Sequence, residues 1–314
     1  MRPFRFGVVG ESIRSGEQLV ATARRAEDLG YDTLLLRDHF VREPYGDQLA
    51  PLIALGAAAA ATRRLRVGTL VIDNDYRHPV LLAKEAATLD HLYGERFELG
   101  IGAGWLKEEY EQAGMSFDPA GVRVGRLEES LQILKSLLSG GKTTFAGEHY
   151  RVTDLECFPV PERRPRILVG AGSRRMLGLA GRAADIVGVL PKALPDGTIS
   201  AELSERSPEM LLQKVEWVRE GAEARFDEVE LSMIVSVTIT DDPEAAARRR
   251  AADRGWGTDG WRLVLDMPAT YLGPVAHIAD LMRARRDRFG FSYLVVSDED
   301  MEAVAPVVQL MSGQ

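Results

Sequence analysis

Eight short runs rich in Val, Ile and Leu alternate with amphipathic segments of helical period along this chain, and that rhythm constrains the fold more than any other feature. The predicted strands are Phe4–Val9, Thr33–Arg37, Arg66–Ile72, Phe97–Ile101, Arg166–Val169, Ile186–Leu190, Leu231–Thr238 and Tyr293–Val296. The predicted helices are Gly16–Leu29, Leu49–Ala61, Val80–Tyr93, Val122–Leu138, Arg174–Ala183, Pro208–Arg225, Glu244–Arg254, Pro274–Arg288 and Met301–Leu310. Pro79 and Pro208 suit a first helical turn, Ser207 suits an N-cap, and Asp242-Pro243 opens a further helix in the same style. Parallel strands need a crossover, and a helix supplies it. The runs are almost wholly apolar, as strands covered on both faces must be. Eight such units predict an α/β fold closed into a (β/α)8 TIM barrel, with an open doubly wound sheet as the alternative. The length suits one barrel domain over residues 1–314.

Two stretches break the rhythm. Thr143–Pro161 mixes aromatic, β-branched and turn residues and reads as a hairpin-like insertion; the 191–207 stretch, with Pro195, Asp196 and Gly197, reads as a loop at the C-terminal mouth. The formal charge of -8 opposes binding to nucleic acid or an anionic membrane surface. Cys157 is the one cysteine, so neither an internal disulfide nor a Cys-rich zinc site can form. The N-terminus lacks a long apolar leader, and the longest apolar stretch, Leu52–Ala61, is about half of a bilayer span. These features predict a cytoplasmic protein.

In a barrel the residues just after each strand face the active site. Asp38 and His39 follow strand 2; imidazole exchanges protons near neutral pH, so His39 is either an acid/base group, with Asp38 helping to fix its charge, or a packed strand-end residue. Gly102-Ala103-Gly104-Trp105 follows strand 4 and makes either a close-approach loop with an aromatic wall or a plain turn. Glu108 and Glu109 then read as helix-start residues favoured by the dipole. Gly170-Ala171-Gly172-Ser173 opens a helix carrying Arg174 and Arg175, and makes either a phosphate cradle or a tight turn capped by Ser173. Lys192 is either an anion contact or a solvated lysine. Asp73 and Asp75 flank Asn74, but the histidines have no ligand spacing, so no metal site is expected.

Taken in order, these pieces resemble the bacterial luciferase-like superfamily of flavin and deazaflavin enzymes. The likeness runs through Leu36-Arg37-Asp38-His39-Phe40, Gly68-Thr69-Leu70-Val71, Leu99-Gly100-Ile101-Gly102-Ala103-Gly104-Trp105, Leu168-Val169-Gly170-Ala171-Gly172-Ser173 and Gly181-Arg182-Ala183-Ala184-Asp185. The Asp-His pair and the Gly-Ala-Gly-Trp loop look most like the branch that uses coenzyme F420, an 8-hydroxy-5-deazaflavin. The resemblance implies an oxidoreductase that moves a hydride, often a homodimer, with an FMN-dependent monooxygenase or a non-catalytic flavin-binding barrel as alternatives. It implies that Asp38 and His39 lie near the cofactor ring, that Leu70 and Val71 back it where relatives carry a non-proline cis peptide, with Asn74 beside them, that Gly102, Ala103, Gly104 and Trp105 border it, and that Gly170, Ala171, Gly172 and Ser173 hold its phosphate. Sugar-phosphate dehydrogenases of this branch carry a glutamate acid where this sequence has Trp105, which argues against a sugar 6-phosphate substrate.

Overall fold

Parallel strands with little polar content must hide both faces, and here they do so by closing on themselves. The computed structural model describes residues 2–257 and 259–314. Its barrel strands are β1 (Arg5–Gly10), β2 (Thr33–Leu36), β3 (Arg66–Thr69), β4 (Phe97–Gly102), β5 (Arg166–Ala171), β6 (Ile186–Val189), β7 (Glu230–Ile234) and β8 (Phe291–Ser297). Each pairs with the next in parallel, and β8 returns to β1 in the register Val8↔Val296, so the order never reverses. Inside the ring, Val9, Leu35, Leu70, Leu168, Ile186, Tyr293 and Val295 pack as one cluster. A larger apolar layer lies between the strands and the surrounding helices.

Helix ends follow local chemistry. Ser15 accepts from the Gln18 amide at the start of Gly16–Leu29, and Gly30 closes that helix with φ 88°. Ser207 and Asp242 cap the helices begun by Pro208 and Pro243, as anticipated. At the floor of the barrel, Arg5 meets Asp32 at 2.7 Å, Glu98 at 2.8 Å and Glu230 at 2.9 Å, so its buried charge is fully matched.

Several elements differ from expectation, and the predicted strand Arg66–Ile72 is one of them, breaking at Leu70–Val71 into Arg66–Thr69 and Ile72–Asp73. The predicted strand Leu231–Thr238 divides at Val235: Glu230–Ile234 stays in the barrel, while Ser236–Ile239 pairs with an unforeseen strand, Thr270–Gly273. The apolar run continues through the change of partner, so composition does not mark it. Two short helices, Lys107–Gln112 and Gly260–Asp266, were likewise not anticipated.

Thr143–Ala146 and Arg151–Leu155 form an antiparallel hairpin outside the barrel. It leaves the far end of helix Ala120–Leu138 and folds back along it, where Glu129 accepts from the amides of Glu148, His149 and Tyr150. The 191–207 loop is ordered by an Ala193↔Ile199 bridge. Buried Lys214 ties it down by donating to Leu190 O at 2.8 Å and Glu205 at 2.7 Å. Among the described residues, no helix is long and apolar enough to cross a membrane.

Candidate active site

The segment after β2 turns across the mouth and brings His39 to helix Lys107–Gln112. His39 Nδ1 lies 3.0 Å from Glu109 Oε2; Tyr76 Oη donates to the same oxygen at 3.0 Å. The other oxygen accepts from the amides of Phe40 at 2.5 Å and Val41 at 3.2 Å. Glu109 is buried, its side chain only 2% exposed. Burial would raise its carboxyl, but the hydrogen bond and charge of His39, with the Val41 and Phe40 amides, hold it below its ordinary value. Burial, Asp73 and Glu109 push the Tyr76 hydroxyl far up, so it stays protonated and donates. Tyr45 stacks on His39 at 5.1 Å between centroids, and Trp105 meets it edge-on at 6.0 Å. The carboxylate beside His39 is therefore Glu109, not Asp38.

Asp38 is engaged elsewhere. Arg77 grips it with two nitrogens at 2.5 and 3.1 Å, and the Asp73 amide donates to it at 3.2 Å. Below, Tyr110 Oη donates to Asp73 at 2.8 Å. Gly104 passes over this pair with φ 71°, and a Cβ there would overlap Tyr110 Oη and the Asp73 carboxylate. Glycine at 104 thus sets the height of the Gly102–Trp105 loop.

The opposite side of the mouth is floored by backbone. Gly102 and Gly170 leave room for the half-buried Val71, whose methyls lie 2.9 Å and 3.4 Å from where their Cβ atoms would stand. The Leu70–Val71 peptide is cis. A narrow pocket opens there, lined by Leu70, Gly170, Gly188, Leu190, Met233 and Val295. A larger, open hollow lies at the other end of the barrel among Arg5, Arg166, Asp32 and Glu230. Its charges neutralise one another, and barrel chemistry belongs to the mouth.

Ala171 ends β5, and Ser173 caps helix Arg174–Ala183 by accepting from the Met176 amide at 3.4 Å. The amides of Arg174 and Arg175 have no intrahelical partner by geometry. Gly172 is needed for another reason than ligand space: a Cβ there would strike the backbone of Leu190 and Pro191. Asn74 is buried, donating to Tyr150 Oη at 3.3 Å, while its Oδ1 has no partner among the described residues. Lys192 is solvent-exposed on its loop. Among the described residues no group of three or more His, Cys, Asp or Glu could hold a metal ion.

The mouth thus gathers Asp38, His39, Leu70, Val71, Asn74, the Gly102–Trp105 loop and the Gly170–Ser173 turn. Sequence reasoning missed Glu109, Tyr45, Tyr76 and Arg77. Glu109 carried one usable signal: with Tyr110 it begins a helical face directly after the Gly-Ala-Gly-Trp loop.

The sequence profile of the luciferase-like monooxygenase family matches residues 3–299. An F420-dependent glucose-6-phosphate dehydrogenase of Microbacterium testaceum (strain StLB037) is 32% identical over 251 residues, covering 79% of this chain and 72% of that protein. In fold, the coenzyme F420-dependent tetrahydromethanopterin reductase of Methanopyrus kandleri superposes with a TM-score of 0.74 at 19% identity, covering 99% of this chain and 100% of that one. A monooxygenase from Streptomyces bottropensis superposes with a TM-score of 0.73 at 22% identity, covering 98% and 97%. With its profile match spanning nearly the whole chain and its barrel closed as theirs are, this protein belongs to the luciferase-like monooxygenase family.

Proposed function

We propose that this chain is a coenzyme F420-dependent oxidoreductase acting on a small organic carbonyl, imine or activated alkene. One observation carries the reading: a single imidazole, His39, stands in an aromatic recess at the mouth with no protein partner on Nε2 among the described residues. The F420-dependent relatives supply the cofactor class.

The residues fit such a cofactor. Asn74 Oδ1 is a buried acceptor without a partner among the described residues, suited to a ring N–H or a hydroxyl. Leu70 and Val71 offer an apolar backing, and Gly102, Ala103, Gly104 and Trp105 form the opposite border. The Gly170–Ser173 turn, with free amides at a helix start and exposed Arg174 and Arg175, suits a phosphate. When bound, a deazaflavin supplies or accepts a hydride. The chain's own part is to exclude water, orient the substrate at the aromatic recess around His39, and hold a proton at His39 Nε2. Asp38 acts through Arg77, fixing the segment that carries His39. Trp105 gives this wall an indole and no carboxylic acid, which favours a substrate other than a sugar phosphate.

The reading includes one domain over residues 1–314, a cytoplasmic location and a homodimer. Exposed Ile53 and Leu81, on neighbouring helices Pro51–Ala61 and Pro79–Tyr93, support the last. Separate titrations of purified protein with F420 and FMN, followed by absorbance, test the cofactor. Binding of F420 is expected; FMN binding with oxygen-dependent turnover, and none of F420, would replace this reading with a monooxygenase.

A further inference from the structure

We infer that Glu109 is the positioning residue that fixes the tautomer of His39, placing the ring hydrogen on Nδ1 and reserving Nε2 as the proton-exchange atom. The inference rests on the reading of His39 as the proton partner, and extends it to a residue outside the motifs that carry the family likeness.

The argument is one of counting donors. Glu109 meets four groups: His39 Nδ1, Tyr76 Oη and the amides of Phe40 and Val41. The amides can only donate. Among the described residues Tyr76 Oη has the Glu109 carboxylate as its acceptor, so it donates too. A carboxyl proton would need an acceptor among these four, and the amides and hydroxyl leave none but Nδ1. Burial opposes ionisation, but the three other donors outweigh it and favour the ionised carboxylate, and Nδ1 must then carry hydrogen. Nε2 is left with the lone pair in neutral imidazole and with the exchangeable proton in imidazolium. In the reducing direction Nε2–H passes its proton to the substrate oxygen or nitrogen, leaving neutral imidazole. In the oxidising direction the lone pair takes the substrate's hydroxyl proton.

Among the described residues, no other carboxylate pairs with the ring. Asp38 is held by Arg77, and Glu11 is held by Arg37, whose guanidinium covers the far face of Tyr45 at 3.9 Å. Tyr45 and Trp105 present ring surfaces to His39. The same carboxylate also ties the Phe40–Val41 backbone to helix Lys107–Gln112, so the ring's tautomer and its position depend on one side chain.

Glu109→Gln separates the two roles. An amide can still accept from Phe40 and Val41 through its oxygen, but its nitrogen donates to Nδ1 and drives the hydrogen to Nε2. Nitrogen-15 spectra of the histidines in unliganded protein, with His39→Gln used to assign the resonance among five histidines, read the tautomer directly. The wild type is expected as Nδ1–H, and Glu109→Gln as Nε2–H, with turnover lowered about 10²–10⁴-fold and cofactor affinity kept within a few-fold. An Nε2–H wild type overturns the inference without any variant. So does a folded Glu109→Gln protein that keeps the Nδ1–H form or turns over normally. Near-normal turnover of folded His39→Gln sinks the underlying reading of His39 instead, whatever the tautomer.

Discussion

Asp73 accepts a hydrogen bond from Tyr110 Oη at 2.8 Å beneath the Gly102–Trp105 loop, in a position too buried for an ordinary carboxylate. Burial pushes its carboxyl up to about 7, and the Asp75 amide and Tyr110 hydroxyl offset this only in part. The folded state therefore holds a proton that the unfolded chain releases near pH 4. Stability from this group is full below that value and is lost as pH rises through about 7. Asp73→Asn keeps an acceptor for Tyr110 and removes the titration. Its melting temperature relative to wild type should be higher at pH 8 than at pH 5, by a difference on the order of a few kcal/mol in stability. An offset that stays constant across that range would show that Asp73 does not titrate there.

Arg77 and Asp38 form a two-pronged pair with side chains 18% and 4% exposed. Removing one partner of a buried pair leaves an uncompensated charge, at about 3–5 kcal/mol. Arg77→Met should therefore lower denaturant stability by roughly 3 kcal/mol. Adding Asp38→Asn should restore part of that loss, because the stranded charge disappears. Additive losses in the double-mutant cycle would mean that the two side chains are not coupled.

Gly172 and the arginines that follow it separate packing from ligand contact. Gly172→Val would strike the Leu190–Pro191 backbone, so it should lower thermal stability as well as cofactor affinity. Arg174→Gln with Arg175→Gln changes only exposed charge; the Arg174–Glu220 pair, 71% and 49% exposed, adds little to stability. That double variant should keep its melting temperature, bind F420 at least several-fold more weakly, and lose salt sensitivity in binding. Unchanged affinity would move the phosphate away from this helix start.

The barrel was legible because its signal is local and repeated. Helices Gly16–Leu29 and Arg174–Ala183 lie as read from sequence, since Ser15, Gly30 and Ser173 announce their ends. Nothing local marks the step by which the chain at Val235 leaves one sheet for another. The site divides in the same way. Asp38 and His39 could be placed from their position after a strand, but the partner of each could not. Glu109 lies 70 residues from His39 and Arg77 lies 39 from Asp38, pairings that only the folded ring of strands creates. Gly172 was read as part of either a phosphate cradle or a tight turn, and the close neighbour of its backbone is the next loop, which no local pattern marks.

Ile53 is 81% exposed in the first turns of helix Pro51–Ala61, and Leu81 is 52% exposed at the start of helix Pro79–Tyr93. The two helices are packed together, with Gly56 close to Leu89 and Tyr93 of the second. Ala57 and Ala60 continue the exposed side of the first helix without a long polar chain. Such a face is apolar, and burying one aliphatic side chain of this size contributes about 1.5–3 kcal/mol. A second copy brings the same residues twice, so one substitution acts at two places in a symmetric interface. Ile53→Glu would bring two carboxylates into that surface, each without a partner, while the residue's exposure in the single chain leaves the barrel unstrained. Light scattering after size exclusion should show the wild type at twice the chain mass and Ile53→Glu at the single mass, with unchanged circular dichroism. A wild type that runs as a monomer at tens of micromolar, or an Ile53→Glu variant that stays dimeric, would place the partner surface elsewhere or remove it.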